Sequence, residues 1–144
     1  MANSFQVTFD AADPHRLAAF WAAVLGYDVE DHDDLIRGLR SGGYDLRGHI
    51  EEVDGRLRWR ATAAILHPDG RSETGAPRLL FQQVPESKVA KNRIHLDVNV
   101  GAANAEAAVA RFEELGATIL YRGQEGPQRW VTMADPEGNE LCVQ

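Results

Sequence analysis

Three short stretches hold the side chains best suited to chemistry. In Arg93-Ile94-His95-Leu96-Asp97-Val98-Asn99-Val100 polar and apolar residues alternate, so a strand there puts Arg93, His95, Asp97 and Asn99 on one face and Ile94, Leu96, Val98 and Val100 on the other. Histidine changes charge near neutral pH and is the commonest metal ligand, and a carboxylate two residues along the same face can orient it or exchange a proton with it. His95 and Asp97 are therefore a candidate acid–base pair. Gln6-Val7-Thr8-Phe9-Asp10 repeats the alternation, with Gln6, Thr8 and Asp10 on one side. The third stretch, Glu140-Leu141-Cys142, brings a carboxylate and the single cysteine to one side of a strand.

The elements around these stretches spell one unit twice. Phe5 to Asp10 reads as a strand, Asp13-Pro14 as the N-cap and first position of a helix, and Leu17, Phe20, Trp21, Val24 and Leu25 as its apolar stripe, closed by Gly26. In the second half, a strand over Arg93 to Val100 leads to Asn104 as N-cap, a helix carrying Val109, Phe112 and Leu115 to Gly116, and a strand over Thr118 to Tyr121. His67-Pro68-Asp69-Gly70 precedes Leu79-Leu80-Phe81 just as Asp135-Pro136-Glu137-Gly138 precedes Leu141-Cys142-Val143, so both read as turns from a third strand into a fourth.

The pattern predicts an α+β fold of two βαβββ modules, at about residues 1–87 and 91–144, forming a curled mixed sheet around a cleft within one domain. An insertion at about residues 30–58 lengthens the first module. Inside it, Leu35 to Leu39 reads equally as a helical turn or a strand, Asp54-Gly55 as a hairpin turn, and Arg56 to Thr62 as the arriving third strand. On this plan the polar rows of the two first strands meet across one cleft floor. Gln6, Thr8, Asp10, His95 and Asn99 are then candidate ligand contacts, with Trp59 and Trp130 as aromatic walls and Trp21 in the core.

The totals remove other classes. A chain of 144 residues with net charge −7 and no basic block is a poor match for nucleic acid. Its start lacks the n- and h-regions of a signal peptide, and its longest apolar run, Leu17 to Leu25, is too short to span a bilayer, so the expectation is a cytoplasmic protein without a membrane partner. One cysteine permits no internal disulfide.

The paired modules, with Phe20-Trp21 to Leu25-Gly26, Phe81-Gln82-Gln83-Val84-Pro85-Glu86 followed by Lys91 to Asp97, and Asp135-Pro136-Glu137-Gly138-Asn139-Glu140, resemble the vicinal oxygen chelate superfamily. Glyoxalase I, extradiol dioxygenases and bleomycin-resistance proteins belong to it, and the nearest likeness is to its glyoxalase-like domains. The resemblance implies a small-molecule ligand or substrate and a homodimer. It also implies, for metal-using members, four ligands from the first and last strands of both modules. Carried over, these fall on Gln6, His95, Phe81 and Cys142, with Glu140 on the face of Cys142 as a substitute. Phe81 offers no donor and breaks the usual set for Fe, Mn, Ni, Co or Zn. The expectation is therefore a protein that holds a small organic molecule by binding or by metal-free chemistry. A metal-dependent lyase, isomerase or dioxygenase with a divalent cation at Gln6, His95 and Glu140 or Cys142 is the alternative.

Overall fold

In the computed structural model, which describes residues 5–70 and 75–144, strand β1 (Gln6–Ala11) runs into Asp13, whose carboxylate accepts the Arg16 N–H at 3.0 Å. Pro14 then starts helix α1 (Pro14–Leu25), and Gly26, at φ 68°, ends it in the left-handed conformation that suits glycine. The chain continues through β2 (Asp28–Val29), α2 (Asp33–Ser41), a hairpin of β3 (Ile50–Val53) and β4 (Arg56–Trp59), then β5 (Thr62–Leu66) and β6 (Arg78–Gln83). The second half contains β7 (Leu96–Val98), α3 (Ala105–Glu114), β8 (Thr118–Glu125), β9 (Gln128–Ala134) and β10 (Glu140–Val143).

Two four-stranded sheets result, β1-β6-β5-β2 and β7-β10-β9-β8. They share one order, and in each the first strand lies parallel to the last while the other pairs are antiparallel. This is the α+β, paired βαβββ architecture read from the sequence. One core serves both halves, because Leu17, Trp21 and Phe81 of the first pack in the same cluster as Phe112, Met133 and Leu141 of the second.

Three sequence expectations change. Strand β7 is three residues long where Arg93 to Val100 was expected, and Ile94 is 80% exposed instead of facing the helices. Its partner β10 has four residues, with register Leu141↔Leu96 to Val143↔Val98, so the residues before His95 have no strand to join. Arg56 to Trp59 does not lead into the third strand; it turns back on β3 through Asp54 (φ 51°) and Gly55 (φ 77°) as a separate hairpin, and β5 is the third strand. Of the two readings open for Leu35 to Leu39 the helical one holds: the segment lies in α2, where buried Ile36 anchors the helix and Asp33 accepts the Leu57 N–H of the hairpin at 2.7 Å. Asn104 occupies the N-cap position but donates its side-chain amide to the Val100 carbonyl instead of capping.

The modules meet at the turn between β9 and β10. Asp135 is buried there, and four N–H groups surround its carboxylate: those of Glu137 and Asn139 and the Asn139 amide at 2.9 Å, and the Trp21 indole at 3.0 Å. The next acid in the turn, Glu137, accepts the backbone N–H groups of Ala12 and Asp13, both at 2.8 Å, just before the N-terminus of α1, where a negative charge is favoured. A buried carboxylate deprived of one donor loses a strong hydrogen bond and keeps its desolvation cost. Trp21→Phe should therefore lower unfolding free energy by about 2 to 3 kcal/mol, whereas Trp59→Phe, on the insertion hairpin, should change it by about 0.5 kcal/mol or less. Urea denaturation of the two variants checks this, and equal losses would be inconsistent with the contact.

Candidate functional site

The outward polar rows of β1 and of the segment entering β7 meet, without pairing, across a pocket of about 280 Å³. Thr8 and Asp10 come from the first module and His95 and Glu140 from the second, with Phe9 and Leu96 among the apolar walls. Alternation on β1 makes the meeting possible, since Phe9 turns inward to stack on Phe81 with ring centroids 5.1 Å apart. Asp10 is steadied by the Gln82 amide at 3.0 Å, its neighbour across β6.

Glu140, only 9% exposed, closes one side of the pocket. One oxygen accepts Lys88 Nζ at 3.1 Å and the other the Asn92 N–H at 3.0 Å, so the carboxylate clamps the linker between the modules. The Asn92 side chain adds a bond to Asn139 Oδ1 at 3.2 Å. A second cavity, of about 430 Å³, borders the same linker and shares Asp10 and Asn92 with the first. Burial pushes the Glu140 pKa up, but the Asn92 N–H and the Lys88 ammonium together outweigh it and hold the carboxyl below its ordinary range. Lys88 and Asn92 escaped the sequence reading because their partner is about fifty residues away; the only local signal was a basic residue in a linker facing an acidic last strand.

His95 also looks along the second sheet. Its Nε2 lies 3.3 Å from Asp97 Oδ1, and Cys142 stands opposite Asp97 across the β10–β7 pair. The remaining candidates lie elsewhere. Gln6 does not line the pocket; its amide oxygen accepts Arg78 Nη1 at 3.1 Å, and Arg78 also grips both oxygens of Glu30 at 2.7 Å. The hydrogen bond from Arg78 is the main reason the Glu30 carboxyl titrates below its ordinary range, which marks this as a structural ion pair. Asn99 is exposed beyond β7. Trp59 sits on the insertion hairpin, its carbonyl 2.8 Å from His15 Nε2. Trp130 lies over Gly123, where an added Cβ would collide with the indole, and it borders a cavity of about 760 Å³ between α3 and the β8–β9 hairpin.

The metal set implied by the superfamily does not fit these positions. Phe81 is fully buried in the core, the Gln6 oxygen is taken by Arg78, and Glu140 is neutralised by Lys88. A guanidinium or an ammonium already held at these oxygens repels a second cation.

The glyoxalase-like domain model matches residues 6–144. Among solved structures, the fold is similar to the fosfomycin resistance protein FosX from Mesorhizobium loti, with TM-score 0.64 and 13% identity over 100% of this chain and 91% of that one. It is also similar to a glyoxalase/bleomycin resistance protein/dioxygenase family enzyme from Burkholderia phytofirmans PsJN, with TM-score 0.61 and 16% identity over 96% and 94%. A third, a mutant of the fosfomycin resistance protein FosX from Listeria monocytogenes complexed with Mn(II) and 1S,2S-dihydroxypropylphosphonic acid, has TM-score 0.62 and 9% identity over 100% and 90%. At such identities the likeness shows the fold. No protein of curated function matches the sequence at a significant level.

The Glu140 clamp carries a pH dependence of known sign. Its folded pKa lies below the ordinary 4.5, so its contribution is complete above that value and is lost as pH falls through the folded pKa. Hydrogen-exchange protection at the Asn92 amide, corrected for intrinsic rates, should drop as pH falls from about 5 to about 3. In Glu140→Gln it should be weak at both ends of that range; unchanged protection in the variant would remove the clamp from the account.

Proposed function

As the chain belongs to the glyoxalase-like domain family of the vicinal oxygen chelate superfamily, we propose that it captures a small organic molecule in the pocket between β1 and β7. Its own side chains do the work there, with His95 and Asp97 as the acid–base pair. The observation that carries this reading is the convergence of Thr8 and Asp10 from one module with His95 and Glu140 from the other on a single pocket. Apolar walls with a few convergent polar groups are the usual make-up of a ligand site.

Size and charge narrow the ligand. At about 280 Å³ the pocket falls at the small end of ligand sites. Asp10 has an amide partner and no cation, while Lys88 is spent on Glu140, so an anion would meet net repulsion. The reading favours a neutral molecule with hydroxyl or amide donors, which Asp10 and the Thr8 hydroxyl can accept. His95, at the mouth, is placed to exchange a proton with such a group, and Asp97 to orient the imidazole. The ligands held by the Listeria relative, a metal ion and a phosphonate, call for a different charge balance. The metal-dependent lyase, isomerase or dioxygenase reading at Gln6, His95, Glu140 or Cys142 is weaker because two of those donors are already engaged.

A panel of small neutral diols, phenols and amides screened by thermal shift tests the proposal. At least one compound should raise the melting temperature, and Thr8→Ala and His95→Ala should each weaken its binding about ten-fold, or ~1.4 kcal/mol. Asn99→Ala should leave it unchanged. Binding insensitive to both Thr8 and His95 would place the ligand elsewhere.

A further inference from the structure

The cavity of about 760 Å³ between α3 and the β8–β9 hairpin is larger than the pocket between the modules and shares no residue with it. Strand register builds its wall. Arg122 stands opposite Val131 and Gln124 opposite Arg129, so alternation turns all four side chains to one face of the sheet. That face looks toward α3, since Arg122 donates to both oxygens of Glu106, at 2.6 and 3.1 Å. Val143, the β10 partner of Val131, and Ala105 of α3 add apolar surface.

The duplicated fold shows that this corner is covered in the other module. His15 is the second residue of α1 and Glu106 the second of α3, so the two hold equivalent places. His15 Nε2 lies 2.8 Å from the Trp59 carbonyl, which brings the insertion hairpin over the start of α1. In the second module only Gly126 and Pro127 join the two strands, and the corner stays open. Charge then decides what fits there. Glu106 neutralises Arg122, whereas the Arg129 guanidinium has no hydrogen bond or ion pair among the described residues. The lining therefore carries one net positive charge on a chain whose net charge is −7.

We infer that this cavity is a second ligand site, for a small organic monoanion that carries a carboxylate on a compact apolar body. The planar fork of Arg129 takes the carboxylate through two parallel N–H bonds. The body lies on Val131, Val143 and Ala105, and the volume is within the usual range of small-molecule sites. The neutral ligand of the pocket between the modules has no use for Arg129, and a carboxylate has no cation to meet beside Asp10. The site goes beyond the pocket reading and uses none of the positions implied for a metal, so the two stand or fall separately.

The test is a titration of 2-naphthoate into the full isotope-labelled chain, followed by backbone-amide NMR, with neutral 2-naphthamide in parallel. Saturable shifts should centre on Ala105, Arg122 and Val131, with a dissociation constant of about 1 mM or tighter, and the amide should bind at least five-fold more weakly. Arg129→Gln, at an exposed position, should weaken naphthoate about ten-fold and remove the preference over the amide. Ala105→Leu, which fills the cavity without touching Arg129, should weaken both compounds. Thr8→Val, which alters only the pocket between the modules, should leave naphthoate binding unchanged. Shifts centred on Thr8 and His95, no saturable shift up to about 10 mM, or an affinity indifferent to Arg129→Gln would overturn the site.

Discussion

The hydrogen bond from the Trp21 indole to the Asp135 carboxylate is the constraint on which the arrangement of the two modules rests. No strand ladder joins their sheets among the described residues. Their relative position is instead set by side chains: the Asp135-centred turn against α1, Glu137 on the backbone ahead of α1, and Arg111 of α3 donating to the Ala23 carbonyl at 3.0 Å. Because Asp135 is buried and its carboxylate is solvated only by four N–H groups, any displacement of the turn exposes a desolvation cost that the shared apolar core does not repay.

The pocket follows from that docking. Two first strands brought near each other without pairing leave a gap, and alternation fills its rim with Thr8, Asp10 and His95. Glu140 then acts on the linker, holding Lys88 and Asn92 so that the chain crossing between modules borders the cavity. Where the sequence resemblance implied a substitute metal ligand, the fold positions a salt bridge between Glu140 and Lys88. On the proposed reading, the chemistry at the module junction is hydrogen bonding and proton transfer.

Much of the fold was legible because its signals are local. Asp13-Pro14, Gly26 and Asp54-Gly55 each specify their own backbone geometry, and all three act as their residue types require. The strand over Arg93 to Val100 was over-read because alternation tells which way side chains point and not how many residues find a partner. Gln6 looked equivalent to His95 by position in its module. Arg78 stands opposite it in register and already holds Glu30, so the amide is drawn into an ion-pair network that only the folded chain reveals. Trp130 leaves the cleft for a similar reason: the residue facing it is Gly123, whose missing side chain lets the indole lie across β8. The helix of the insertion was less legible, since α2 is held by a contact from Asp33 to Leu57, more than twenty residues away.

A double-mutant cycle on Trp21 and Asp135 tests most directly whether one buried hydrogen bond couples the modules. Unfolding free energies of Trp21→Phe, Asp135→Asn and the double variant should show a coupling of about 1 kcal/mol or more, with the double variant less destabilised than the sum of the single ones. Additivity within about 0.3 kcal/mol would mean that the two residues act independently and that the docking rests on the apolar core alone.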